Sequence, residues 1–163
     1  MAADFSLCWL AIGQTKSQTE VCATFMAEQL QLDVVTPERR LLSEQVNSVT
    51  VPGRGGELGI LPGHAPLISD LQTGVLSYNE AGTTFQLHVS GGFVEVSDDK
   101  VSVLAEIAER PEEIDAARAR LAREQSEKQL SSASGSEEDF EEARTKLERS
   151  MVRLQLATRA LDR

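Results

Sequence analysis

Between residues 30 and 106 apolar and polar side chains repeatedly alternate. Leu30, Leu32 and Val34 occupy every second position, as do Phe85, Leu87 and Val89, and then Val101 and Val103. A period of two puts one face of a strand against a core and the other in water, so this stretch is predicted to be β-structure throughout. Turn-forming groups punctuate it at Pro52-Gly53, Gly55-Gly56, Pro62-Gly63, Asn79 to Gly82, Gly91-Gly92 and Asp98-Asp99. Short strands at this spacing predict an antiparallel sandwich or barrel. No helical run separates them, which argues against a parallel sheet with crossover helices.

The pattern changes at Pro111. Proline suits a first helical turn, and Glu112, Glu113 and Asp115 place negative charge at the positive end of a helix dipole. A helix from about 111 to 130 is predicted, with a thin apolar stripe of Ile114, Ala117, Leu121 and Ala122. Ser131 to Ser136 reads as a short flexible break, and Ser136 with Asp139 resembles a capping box opening a second helix. Phe140, Leu147, Leu154 and Leu161 recur every seven residues in that helix, with Met151 between them, as in a coiled-coil seam. With so short a connection the two helices must lie antiparallel if they fold together. Neither has apolar surface enough for a core of its own, so the pair is expected to be marginally stable and able to change partner.

Composition narrows the function. The chain has 163 residues, 40% hydrophobic and 26% charged but only 4% aromatic, so one modest core with aliphatic packing is expected. Its net charge of -10 argues against nucleic acid as a partner. Residues 27–108 carry 11 acidic and 4 basic side chains, whereas residues 143–163 carry 2 acidic and 6 basic. That basic end reads either as a surface for an acidic partner or as a solvated helix face. The two cysteines, Cys8 and Cys22, make no disulfide framework, which fits a reducing compartment. No run of 18 apolar residues occurs. Residues 1–25 match neither a secretory signal nor an Arg-rich transit peptide, and Met26 looks like a natural start. They are expected to be disordered, with a short amphipathic anchor around Phe5–Ile12 as the alternative.

Nothing in the chain suggests independent catalysis. The two histidines, His64 in a Pro-Gly loop and His88 on the polar side of a strand, have no metal-ligand spacing. Gly53-Arg54-Gly55-Gly56 lacks the lysine and following helix of a phosphate loop and reads as a tight turn.

One string is more specific. Gly56-Glu57-Leu58-Gly59-Ile60-Leu61-Pro62-Gly63-His64-Ala65-Pro66-Leu67 closely resembles the signature of the epsilon subunit of F-type ATP synthases. Leu32 to Glu38, Thr73-Gly74, Ser90 to Val96 and Val103 to Glu106 resemble the same family, in order, along residues 30–160. The resemblance implies an α+β protein. Its parts would be a disordered extension over 1–25, a sandwich of about ten strands over 26–108, and a regulatory helical hairpin over 109–163. It implies a non-catalytic rotor subunit of a proton-translocating synthase, peripheral to the inner membrane on the cytoplasmic side of a bacterial cell. The sandwich would bind the gamma subunit and the ring of c subunits, with Glu57, Leu58, Gly59, Ile60, His64 and Pro66 as interface residues. The hairpin would permit ATP hydrolysis when folded down. When extended, it would block hydrolysis at the alpha and beta subunits. The alternatives are the equivalent mitochondrial delta subunit and a β-sandwich adaptor of another complex.

Ile114-Asp115-Ala116-Ala117-Arg118-Ala119 is similar to the motif with which some bacterial epsilon subunits bind ATP. No cofactor is required by the resemblance, but ATP is implied as a regulatory ligand, held by Glu109, Ile114, Asp115, Arg118, Ala119, Arg149 and Arg153. The spacing of Arg149 and Arg153 puts both guanidiniums on one helix face, and forked donors suit phosphate oxygens. Gln125 stands where ATP-binding members have a further arginine. The competing reading is that Asp115 merely caps its helix while the arginines are solvated.

Overall fold

The computed structural model describes residues 29–131 and 137–161, apart from the side chains of 160 and 161. Eight strands are followed by a single 3-10 turn and two helices: β1 Leu30–Val35, β2 Arg40–Val46, β3 Ser48–Gly53, β4 Gly56–Ile60, β5 Leu67–Asp70, β6 Gly74–Glu80, β7 Thr83–Ser97, β8 Lys100–Glu109, the turn Pro111–Glu113, α1 Ala116–Ser131 and α2 Glu137–Leu161. The expected sandwich with a helical pair is borne out, with eight strands rather than about ten. Neighbouring strands run in the order β2-β1-β8-β7-β6-β3-β4, and β5 pairs with β7. One pairing departs from the antiparallel expectation: β1 lies parallel to β8, Leu32 beside Val101 and Val34 beside Val103. It joins the first strand to the last, so the intervening strands themselves make the crossover and no helix is needed.

The lower strand count has a physical cause at Gly91-Gly92. The sequence reads this pair as a turn, but β7 runs straight through it for 15 residues. Core positions in β7 are Leu87 and Val89 before the glycines, then Val94 and Val96 after them. The parity of the inward-facing residues has inverted. β8 inverts with it, from Val101, Val103 and Ala105 to Ala108. Each strand therefore serves both layers. The first half of β7 pairs with β6 in one layer, and the second half pairs with β5 in the other. The crossing needs left-handed backbone, φ +66° at Gly91 and +99° at Gly92, which a residue with a Cβ rarely adopts.

The core between the layers is aliphatic, as the composition predicted. Leu30, Leu32, Val49, Val51, Ile60, Leu76, Val94 and Val101 are among its fully enclosed members. The expected alternation in Leu30, Leu32 and Val34 is present, and Phe85 keeps the inward parity of Leu87 and Val89 but sits at the sandwich edge, 38% exposed and stacked on the buried Tyr78 with ring centroids 5.3 Å apart.

The helices differ from expectation in detail. Pro111 opens a 3-10 turn rather than the long helix, and α1 begins at Ala116. Asp115 is its cap: Oδ1 accepts hydrogen bonds from the backbone N–H groups of Ala117 and Arg118 at 2.9 and 3.0 Å. The anticipated seam does not form as written, since Phe140 and Met151 are both exposed. The buried positions shared by the helices are instead small. Ala143, Ser150 and Ala157 repeat every seven residues along α2, and Ala119 and Ser126 have the same interval on α1. Small side chains let the helix axes approach closely. The two serines satisfy themselves within their own helices, Ser126 donating to the Ala122 carbonyl and Ser150 to that of Leu147. The proposed cap at Ser136 and the expectations for residues 1–25 lie outside the described residues.

A Cβ at position 92 would lie 1.9 Å from the Leu104 carbonyl oxygen, whereas one at position 59 would meet nothing within 4 Å. Gly92→Ala is therefore expected to cost at least about 3 kcal/mol or to prevent folding. Gly59→Ala should leave the thermal midpoint within a few degrees. Calorimetry of the two variants makes the comparison.

Candidate functional site

The outer face of the first layer, which α2 covers, is made largely by alternate residues of β7 and β8. Gln86, His88 and Ser90 point outward there, with Glu109 directly across from His88 and Ile107 across from Ser90. Along α2 the arginines answer this row. Arg149 Nε donates to Ser90 Oγ at 2.7 Å, and its Nη2 reaches Glu106 at 3.5 Å. Arg153 makes a fork on Glu109, Nε to Oε2 at 2.6 Å and Nη2 to Oε1 at 3.1 Å. Arg159 Nη1 donates to Gln86 Oε1 at 3.3 Å. Four residues of helix rise about 6 Å and two residues of strand about 6.7 Å. A helix antiparallel to β7 can therefore place Arg149 and Arg153 over Ser90 and His88.

At the centre of this clasp is Glu109. His88 Nδ1 lies 2.9 Å from the same Oε2 that Arg153 engages. These donors hold the Glu109 carboxyl well below its ordinary value, at about 2, with the His88 hydrogen bond the largest cause, burial next and opposing it, then the hydrogen bond and charge of Arg153. His88 itself is completely enclosed, and its Nε2 has no hydrogen-bond partner. The sequence put His88 on a wet face. That face is dry because α2 covers it.

The candidate nucleotide residues are only partly brought together. Glu109, Arg149 and Arg153 form the clasp just described. Ile114 is half-buried, its N–H donating to the Pro111 carbonyl, and the Asp115 carboxylate is engaged in the α1 cap. Arg118 is exposed, and Ala119 is buried against the helix pair. A polar cleft of about 290 Å³ opens between Thr73, Ser90 and Gly91 of the sandwich and Glu141, Arg144 and Arg149 of α2. It meets the candidate set only at Arg149, and its guanidiniums are already balanced, Arg144 by Glu141 and Glu148 and Arg149 by Glu106, so its volume alone does not make it an anion site.

The candidate interface string divides. Ile60 is fully enclosed in the core, so it packs the sandwich and does not face a partner. Leu58 packs against that core from a half-buried position. Glu57, Gly59 and Pro66 are exposed and His64 is half-buried. Asp99 pins this loop to the β7–β8 turn by accepting a 2.6 Å bond from the Gly63 N–H, and His64 Nδ1 turns to the Ala65 carbonyl. The sequence did not single out an outward apolar patch on the second layer, Ile68, Phe93 and Leu104, exposed by 74, 53 and 51%. Phe93 and Leu104 are direct cross-strand partners. Among the described residues no group of His, Cys, Asp and Glu could hold a metal, and no described helix is long and apolar enough to cross a membrane.

Comparison with known proteins agrees with this architecture. Residues 29–111 match the family described as ATP synthase, Delta/Epsilon chain, beta-sandwich domain, and residues 112–158 match its long alpha-helix domain. An ATP synthase epsilon chain of Geobacter metallireducens is 44% identical over 132 residues, covering 81% of this chain and 96% of that one. One of Nitratidesulfovibrio vulgaris is 46% identical over 131 residues, covering 80% and 97%. Among solved structures, a chain of the Euglena gracilis mitochondrial ATP synthase, determined with its OSCP, F1 and c-ring, superposes with a TM-score of 0.67 at 27% identity, covering 83% of this chain and 82% of that chain.

The depressed Glu109 carboxyl sets an acid limit on helix docking. Its folded value lies below the unfolded one, so the stability it contributes is complete above about pH 4.5 and lost as pH falls toward about 2. The contribution is at most about 3 kcal/mol. Since the largest share of the depression comes from His88 within the sandwich and only the Arg153 share bears on docking, acidification through this window should weaken α2 docking and the β7–β8 end together, as read by amide resonances of α2 and of both strands. Glu109→Gln should remove the acid step and weaken docking at neutral pH.

Proposed function

Since the chain belongs to the ATP synthase delta/epsilon family and is an epsilon-type subunit of the F-type enzyme, we propose that it is a non-catalytic rotor part whose hairpin restrains ATP hydrolysis. In this reading it sits at the cytoplasmic side of a bacterial inner membrane, held there by the complex. What carries the proposal is the contrast between the sandwich's two outer faces. One is covered by a helix held through the polar contacts of Arg149, Arg153 and Arg159 together with a single enclosed leucine, Leu156. The other is bare and apolar around Ile68, Phe93 and Leu104, as suits a permanent partner surface. We assign the bare face to the gamma subunit, and the exposed loop positions Glu57, Gly59, His64 and Pro66 to the c ring.

The hairpin would leave the sandwich and bring the basic side chains of α2, among them Arg144, Lys146, Arg149, Arg153 and Arg159, to acidic surface on the alpha and beta subunits. ATP would favour the docked state if its phosphates took over Arg149 and Arg153 beside Asp115 and Arg118. A ligand shifts such a balance only by its difference in affinity for the two states. Glu109 and Ser90 already engage those arginines, so a nucleotide would have to displace them, and modest affinity is expected.

Deleting residues 112–163 should leave ATP synthesis coupled and raise hydrolysis by the assembled enzyme several-fold. Unchanged hydrolysis would show that the hairpin does not inhibit. Phe93→Asp should weaken gamma binding by more than about tenfold while the subunit keeps its fold, because the charge falls on an exposed site until the complex forms. Replacing Arg149 and Arg153 together by Ala should abolish any ATP-induced resonance shifts in the isolated subunit.

A further inference from the structure

We propose that the segment 5–12 is a tethered cover for the bare apolar face of the sandwich, docking on Ile68, Phe93 and Leu104 of its own chain. Phe93 and Leu104 are paired across β7 and β8, and Val35 of β1 stands beside Leu104. Ile68 lies across from Glu95, one outward step along the strands from Phe93. With 74, 53 and 51% of their surface in water, Ile68, Phe93 and Leu104 form a patch that a free subunit would bury by associating. The segment has the matching chemistry. It carries Phe5, Leu7, Trp9, Leu10 and Ile12 and no charged residue, so no buried charge opposes its docking. As an amphipathic stretch it has the sandwich, and not a lipid surface, for its apolar partner.

Reach selects this face. β1 begins at Leu30, inside the layer that bears the patch, and Leu104 stands beside Val35 at the far end of that strand. Five residues of strand at about 3.3 Å each, and two strand spacings of about 4.8 Å, put Phe93 about 20 Å from Leu30. The seventeen residues 13–29 have, on coil statistics, a root-mean-square reach of about 23 Å. Effective concentration is greatest where reach and span agree, on the order of millimolar, so weak contacts suffice to fill the face. The exposed apolar side chains of the helices, Leu121, Phe140 and Met151, are placed differently. α2 lies on the outer face of the other layer, through Ser90 and Glu109, so the sandwich stands between those side chains and the layer in which Leu30 begins.

The cover does not depend on which subunit uses this face. Its consequence for assembly rests on the assignment to gamma made above: gamma would have to displace the segment, and its apparent affinity would fall by the covered fraction.

The chain supplies its own probes, since Trp9 is its only tryptophan and Cys8 and Cys22 its only cysteines. In the isolated full chain acrylamide should quench Trp9 about threefold less steeply than in Leu7→Asp, as when about two-thirds of the molecules are covered. Iodoacetamide should label Cys8 more slowly in the parent than in Leu7→Asp by the same factor, with Cys22 labelled alike in both. Leu7→Asp leaves the sandwich unaltered, so this comparison does not depend on a variant of the face folding. Phe93→Asp should release the segment equally, and Met151→Asp on α2 should not. Gamma should bind Leu7→Asp about threefold more tightly than the parent. Equal quenching in the parent and Leu7→Asp overturns the cover. So does release by Met151→Asp and not by Phe93→Asp, which would place the segment on the helices. Shielding that grows with protein concentration would mean a second copy, and shielding that needs phosphatidylglycerol vesicles would mean a lipid surface; either overturns it. Equal gamma affinity in the two chains, with Trp9 shielded in the parent, would refute the gamma assignment alone.

Discussion

Where β7 crosses from one layer to the other, its backbone passes so close to Leu104 that no side chain fits at position 92. Much of the rest follows from that crossing. Because the inward parity inverts there, β7 and β8 present one set of outward residues before the glycines and another after them. The first set, with Gln86, His88, Ser90 and Glu109, is polar and receives α2. The second, with Phe93 and Leu104, is apolar and bare. Had the parity of the first half been kept, Val94, Val96, Val101 and Val103 would have faced outward and Phe93, Glu95 and Leu104 inward, putting a carboxylate in the core.

The clasp is suited to release. Burial of aliphatic surface holds a segment by an amount that changes little with pH or ligand. Docking through Arg149, Arg153 and Arg159 exchanges protein contacts for water or phosphate with a small net difference, which is the condition for two states to stay within a few kcal/mol. The half-buried fork on Glu109 is the strongest of these contacts. The exposed pairs within α2, such as Arg144 with Glu148 and Lys146 with Glu142, support the helix wherever it goes, and each is worth well under about 1 kcal/mol. The heptads of Ala and Ser between α1 and α2 bring the two helices close together.

The two-residue alternation by itself determined that residues 30–106 are strands, the acid-rich opening and apolar spacing determined a pair of helices, and the ordered motifs determined the family. Those signals are local, because strand and helix periods are set by backbone geometry within a few residues. What only the tertiary structure decided lies at meetings between distant positions. Gly91-Gly92 carries the composition of a turn, and only pairing with β8 reveals a strand that changes layers. Leu154 and Phe140 look equivalent in a seven-residue repeat, yet Phe140 is exposed, because the seam chose small residues for close helix approach. His88 reads as a wet-face residue, and Glu109 follows it by 21 positions. Their contact with Arg153, a further 44 positions on, exists only because α2 returns across the sheet. Burial and shared hydrogen bonds are properties of that return, and no pattern within any one segment encodes them.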